Sequence, residues 1–298
     1  MGYSLAGASL VPSRLARRIA LLLDAIRFEH SIFALPFAYI GMLLAARGVP
    51  EWWQVAWITV AMVCARTVAM AANRLIDRHL DRVNPRTAAR ALPTGRLSAR
   101  EMSALTLVGL LGFAFAAAQL NDLCLKLTPI AAVVLLGYSY TKRFTWLSHF
   151  VLGFADAMAP AGGWIAVTGR LEWPAVLLAV AVGAWIAGFD LIYACQDIDF
   201  DRRAGLHSVP ASFGIAATLW MSALSHVVTV TVLALLGAWL SLGPVYWVGL
   251  AIAAGLLAYE HAIVRPNDLS RLGVAFFDVN GYIAIVVFVF TLGALYHY

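Results

Sequence analysis

Residues 52–81 read WWQVAWITVAMVCARTVAMAANRLIDRHLD, an apolar run of membrane-crossing length that ends in two aspartates, Asp77 and Asp81. A bilayer-spanning helix needs about 20 mostly apolar residues, and the run up to Ala72 meets that length. If the helix continues past it, Asn73, Asp77 and Asp81 stand at i, i+4 and i+8 and share one face. A second stretch, residues 190–201, reads DLIYACQDIDFD and ends another apolar run. There Asp197 and Asp201 again share a face, while Asp199 points elsewhere.

The same length test, applied to the rest of the chain, finds runs near 31–47, 52–72, 102–120, 123–140, 148–168, 173–194, 214–240, 243–263 and 275–296. The divider Asn121-Asp122 is thin, and it separates two of these runs. Composition agrees: 62% of the 298 residues are hydrophobic and 12% are charged. Soluble domains carry about 45–50% apolar and about 25% charged residues. The expected fold is therefore all-α, a single integral-membrane domain over residues 1–298 with about nine transmembrane helices. Met1–Val11 and the arginines after it do not form a cleavable signal pattern.

Charge supplies the orientation. Of the 21 Lys and Arg residues, 17 fall before the first span or after the even-numbered ones: Arg14, Arg17, Arg18 and Arg27, then Arg74 to Arg100, Lys142-Arg143, Arg202-Arg203, Arg265 and Arg271. Only Arg47, Lys126 and Arg170 lie on the opposite side, and Arg66 lies inside span 2. The positive-inside rule then puts the N-terminus and both aspartate pairs on the cytoplasmic face of the membrane. The basic pI near 9.3 reflects topology, so no nucleic-acid partner is expected. Three cysteines in apolar runs make neither a disulfide framework nor a zinc spacing. The seven histidines have no metal-ligand spacing and read as scattered interfacial residues. Glycines within the spans read as helix-packing sites.

Carboxylates at membrane depth are costly and usually functional. Two pairs at one membrane face, each followed by basic residues, fit magnesium and diphosphate. Mg²⁺ is held by one or two carboxylates together with phosphate oxygens. Asp77, Asp81, Asp197 and Asp201 are the expected ligands and catalytic acids, with Asn73 beside them. Arg86, Arg90, Lys142 and Arg143 would cap the outer phosphate oxygens. Arg66 suits bidentate capture of a carboxylate, and we read it as lining the cavity beneath the metals; the plainer alternative is an internal ion pair with Asp190 or Asp156. Tyr138, Tyr140 and Tyr193 offer faces to a carbocation, or serve only as belt aromatics.

At these residues the chain resembles the UbiA superfamily of intramembrane aromatic prenyltransferases. Asn73, Asp77, Asp81, Arg86, Thr87, Arg90, Leu92 and Pro93 match its first motif, with Arg74 standing where the family has its first Asp. Tyr193, Ala194, Asp197, Asp201, Gly205 and Ser208 match the second, and Tyr138, Lys142 and Arg143 match the segment between them. The resemblance implies two Mg²⁺ ions, a polyprenyl diphosphate donor, an aromatic acceptor, and basic cavity residues at Arg27 and Arg66. Phe28–Phe37 and Ala65–Thr67 look most like bacterial 4-hydroxybenzoate polyprenyltransferases. A related branch uses 1,4-dihydroxy-6-naphthoate in menaquinone formation. A transporter with a carboxylate relay is the competing class, but its acids would sit near mid-span. A phosphatidyltransferase would need an Asp-Gly-x-x-Ala-Arg element that this chain lacks.

Overall fold

The computed structural model describes residues 14–27 and 31–296. The readings for Met1–Val11, Phe28–His30 and His297 lie outside the described residues. The chain is a helical bundle, and among the described residues it has no strand beyond one isolated bridge between Arg265 and Asp268. Its helices are α1 (Arg14–Ala25), α2 (Ser31–Ala46), α3 (Trp52–Ile76), α4 (Arg78–Val83), α5 (Ala99–Leu120) and α6 (Asp122–Thr141), followed by α7 (Ser148–Thr168), α8 (Trp173–Ala194), α9 (Ile198–Ala204), α10 (Val209–Trp239), α11 (Pro244–Ile263) and α12 (Asn280–Tyr296). A 3₁₀ turn, Cys195–Asp197, joins α8 to α9, and a π-helical turn, Val274–Val279, leads into α12.

Eight segments among the described residues are long and apolar enough to cross a membrane; α2 supplies a shorter apolar helix, Leu35–Ala46. The nine expected spans are thus all present as helices in an integral membrane protein. The thin divider is a real turn. Asn121 is extended (φ −166°, ψ 168°) and its side chain accepts from Cys124 N at 2.9 Å, which starts α6. Its amide donates to Ile165 O at 2.8 Å, tying this turn to the end of α7. Span 7 begins where expected, because Gly214 breaks α10 with non-helical torsions.

Large apolar side chains such as Leu111, Phe115, Val133, Trp220 and Val227 face outward. Such a surface would aggregate in water, and in a bilayer it meets lipid. Trp52, Trp173 and Trp239 are exposed where α3 and α8 begin and α10 ends. Those three ends lie on one side of the bundle, opposite the basic loops, as an aromatic belt requires. Inside, Phe37, Trp164, Trp185, Leu233, Tyr246 and Ile283 join α2, α7, α8, α10, α11 and α12 into the main core. α2 and α7 approach closely: a Cβ on Gly163 would collide with the carbonyl of Ala38, and one on Gly41 with that of Pro160. The reading of span glycines as packing sites holds at this contact.

Two expectations are corrected. The helix carrying Asn73, Asp77 and Asp81 does not run straight on. It bends at Asp77 (φ −90°, ψ 3°), although Asp81 N still donates to Asp77 O at 2.7 Å. The histidines are not all interfacial. His149 and His226 are buried, because each has a polar partner on a neighbouring helix: Asp190 for His149 and His261 for His226.

Candidate active site

Both aspartate pairs sit where a long span gives way to a short helix. Asp77 ends α3 and begins α4; Asp197 ends the 3₁₀ turn and begins α9. The two residues share one backbone conformation, φ −90° and ψ 3° for Asp77 against φ −100° and ψ 6° for Asp197. This sparsely populated bridge region is where many active-site residues lie. The bend lets each pair straddle the end of a span, with its first acid on the turn and its second one turn further on.

The expected cations meet three of the four acids. Lys142 Nζ donates to Asp77 Oδ2 at 2.5 Å, and Arg143 Nη2 donates to Asp77 Oδ1 at 3.2 Å and to Ile76 O at 2.6 Å. Arg90 Nη1 reaches both oxygens of Asp81, at 2.8 and 2.9 Å. Arg86 grips Asp197 with two bonds, Nε to Oδ1 at 2.9 Å and Nη2 to Oδ2 at 2.5 Å. That fork links the α4–α5 loop to the α8–α9 bend, so it brings the two motifs together. Burial disfavours the Arg86 cation, but the hydrogen bond and charge of Asp197 outweigh it and raise its pKa. Asp201 bonds the hydroxyl of Ser208, which also caps α10 by accepting from Ala211 N. Gly205 makes this return possible: its left-handed φ of 66° ends α9, a conformation that is strained for other residues.

Asn73 lies beside the first pair and orients it. Its Nδ2 donates to Asp77 Oδ2 and to Ser139 Oγ, both at 3.1 Å, and its Oδ1 accepts from Arg74 at 3.2 Å. Arg74, which replaces an acid of the family motif, is buried and donates to Ala25 O at 3.1 Å, so it clamps the end of α1 onto α3. That clamp brings the end of α1 beside Asn73. Arg27 follows there, exposed and with φ 49°. Tyr193 stacks on Phe276 at 3.9 Å and lies under Arg86 at 5.5 Å. Tyr138 donates to Ala69 O at 3.4 Å, between α6 and α3. Tyr140 lies under Arg143.

Arg66 does not form the internal ion pair that was its plainer reading. It makes none among the described residues, and its Nε is buried without a hydrogen-bond partner. Asp156 lies within electrostatic reach of both Arg66 and Asp190, so the three share one space. Asp190 instead bonds His149.

Other participants went unassigned in the sequence. Asn84 donates to Asp197 Oδ1 at 3.3 Å and accepts from Arg86 N at 2.9 Å, which aims that arginine. The Asn84-Pro85 step marks a turn and was the available signal. Ser139 and His149 offered none, since their partners are distant in sequence.

Comparison with known proteins decides the family. The UbiA prenyltransferase family model matches residues 34–292. The chain belongs to the UbiA prenyltransferase family. A 4-hydroxybenzoate octaprenyltransferase of Chromohalobacter salexigens is 32% identical over 249 residues, covering 83% of each chain. That of Vibrio campbellii is 30% identical over 247 residues, 83% of this chain and 86% of that protein. Among solved structures, the apo UbiA homolog of Aeropyrum pernix superposes with a TM-score of 0.82 at 34% identity, covering 89% of this chain and 98% of that one. A UbiA homolog of Archaeoglobus fulgidus bound to GPP and Mg²⁺ shares the fold, with a TM-score of 0.68 at 18% identity over 92% and 99% of the two chains. This UbiA-family protein is therefore a membrane-embedded prenyltransferase, and the transporter class is set aside.

The residues present suit magnesium. All four acids offer hard oxygen donors, and among the described residues no three His, Cys, Asp or Glu side chains converge on one point. Carboxylate oxygens suit Mg²⁺, whose remaining positions phosphate and water would fill.

Proposed function

We infer that this prenyltransferase moves a polyprenyl group from its diphosphate to a hydroxylated aromatic carboxylate of the 4-hydroxybenzoate type, at the cytoplasmic end of the bundle. One observation carries the reading: two acid pairs at one end of the bundle face four cations, with Arg66 deeper between the spans, its buried Nε without a hydrogen-bond partner among the described residues. The relatives named as 4-hydroxybenzoate octaprenyltransferases support the acceptor class.

Asp77 and Asp81 would hold one Mg²⁺, and Asp197 and Asp201 a second. Bound there, magnesium would neutralise the charge that builds on the departing diphosphate. Two divalent ions and a diphosphate ester bring charges that nearly cancel, so the resting ion pairs can open without leaving charge uncompensated. Lys142 and Arg143 then release Asp77, and Arg86 and Arg90 release Asp197 and Asp81, each turning to a phosphate oxygen. Tyr193, backed by Phe276, presents an aromatic face toward this region. Arg66 holds the acceptor carboxylate through its planar fork, and the apolar spans keep water from the allylic cation. The same anchor would serve 1,4-dihydroxy-6-naphthoate.

The test is direct. Membranes carrying the chain are given Mg²⁺, a polyprenyl diphosphate and either aromatic acid, and the lipid product is identified by mass. Prenylated aromatic should form with the unaltered chain and vanish in Asp77→Ala and Asp197→Ala. Near-normal product in either variant would refute the metal assignment.

A further inference from the structure

Attack of an aromatic ring on an allylic cation leaves a proton on the attacked carbon. Something must take that proton before aromaticity returns, and the paired acids, occupied with cations, are poorly placed to do so. A different carboxylate lies deeper. Asp190 precedes Asp197 by seven residues, two helical turns, so it faces the same side about 10 Å nearer mid-membrane. Arg66 precedes Asp77 by eleven residues on α3, about three turns down. Asp156 on α7 is within electrostatic reach of both. An acceptor held by Arg66 beneath the diphosphate would bring its ring toward Asp190.

The hydrogen bonds around Asp190 assign the roles of the two nitrogens of His149. His149 Nδ1 and Asp190 Oδ2 are 2.7 Å apart, and His149 Nε2 is 3.4 Å from Val209 N. A backbone N–H can only donate, so Nε2 is the bare nitrogen and Nδ1 carries the proton. His149, itself buried, thus donates through Nδ1 to Asp190, whose Oδ2 accepts. Asp190 Oδ1 has no hydrogen bond among the described residues, and its side chain is 22% exposed. Asp156 lies within electrostatic reach of both Asp190 and Arg66.

Resting on the function inferred above, we propose that Asp190 is the base that removes the ring proton, and that His149 is the residue that positions it. In this step the new carbon–carbon bond already exists. The C–H bond next to the hydroxyl breaks, its electron pair returns to the ring, and its proton passes to Asp190 Oδ1. No oxidant or second substrate is needed. Through Val209, the same histidine ties this base to the turn whose Ser208 binds Asp201.

The experiment uses membranes with the full chain, Mg²⁺, geranyl diphosphate and 4-hydroxybenzoate carrying hydrogen or deuterium beside its hydroxyl, with 1,4-dihydroxy-6-naphthoate treated in parallel. Diphosphate release and prenylated product are both measured. In Asp190→Asn, which keeps the shape and the His149 contact, product formation should fall about 10²-fold or more, the usual worth of a general base. Diphosphate release should persist, KM for the acceptor should change little, and ring deuterium, silent in the unaltered chain, should slow the product several-fold. His149→Ala should show the same isotope effect with a smaller loss, partly recovered in His149→Asn, which restores an N–H donor. Unchanged product without an isotope effect in Asp190→Asn would give the proton to another acceptor, such as the departing diphosphate, and overturn the proposal. Loss of diphosphate release in Asp190→Asn would also overturn it, by placing Asp190 with the metal ligands. If the unaltered chain releases diphosphate but prenylates neither ring, the inferred acceptor class and this base fall together; the Asp190→Asn result matters only when it does prenylate.

Discussion

At the scale of single residues, the proposed site is a set of charges that neutralise one another. Asp77 faces Lys142 and Arg143, Asp81 faces Arg90, and Asp197 faces Arg86. Arg66 differs, because its buried Nε has no hydrogen-bond partner among the described residues. An unmet buried donor costs about 1–3 kcal/mol, a penalty that a carboxylate-bearing ligand would relieve. Arg66→Gln should therefore raise KM for an acidic aromatic acceptor about tenfold to a hundredfold, the range expected for a charge-assisted bond of about 1.5–3 kcal/mol. Diphosphate release should be spared, and steady-state kinetics with both products measured will check this. An equal loss of diphosphate release would move Arg66 out of the acceptor subsite.

Among the elements, two bends and one close contact matter most. The bends at Asp77 and Asp197 turn α4 and α9 away from their spans, and so hold each acid pair at the mouth of the bundle. The close contact is α2 on α7, where Gly163 lies against Ala38 and Gly41 against Pro160. Backbones can meet there only because neither glycine carries a side chain. Gly163→Ala should destabilise the detergent-solubilised protein by about 1–3 kcal/mol, as overpacking does. Its thermal unfolding midpoint would fall, while the acid pairs at the far ends of other helices would keep their Mg²⁺ dependence. An unchanged midpoint would show that the helices slide apart at no cost.

Across the whole molecule, the bundle separates two faces by charge and two surfaces by polarity. The outward Leu, Val and Phe side chains meet lipid, the exposed Trp52, Trp173 and Trp239 gather on the non-basic side, and the ion-paired acids gather on the other. A cysteine introduced at Thr94 should react with an impermeant maleimide only from the cytoplasmic side, and one at Arg170 only from the opposite side. Labelling of Thr94→Cys in intact cells would reverse the orientation.

The amino-acid sequence by itself determined the nine apolar segments and the spacing of the paired acids, and its charge bias predicted an orientation. These depend on composition and on spacing along one helix, where period and hydropathy are local properties. Charged residues also stand out in a chain that is mostly apolar, so Arg66, Arg86, Arg90, Lys142 and Arg143 were legible at once. The tertiary structure alone decided which cation meets which acid, that Asn84 aims Arg86, that Ser208 holds Asp201, and that His149 grips Asp190. Several of those contacts join residues far apart in the chain, as Asn84 Nδ2 and Arg86 show by sharing Asp197 across more than 100 positions, and they depend on how far each helix is rotated and slid against its neighbour. Side-chain packing sets that rotation, at contacts such as Gly163 on Ala38, and no period within a single helix encodes it.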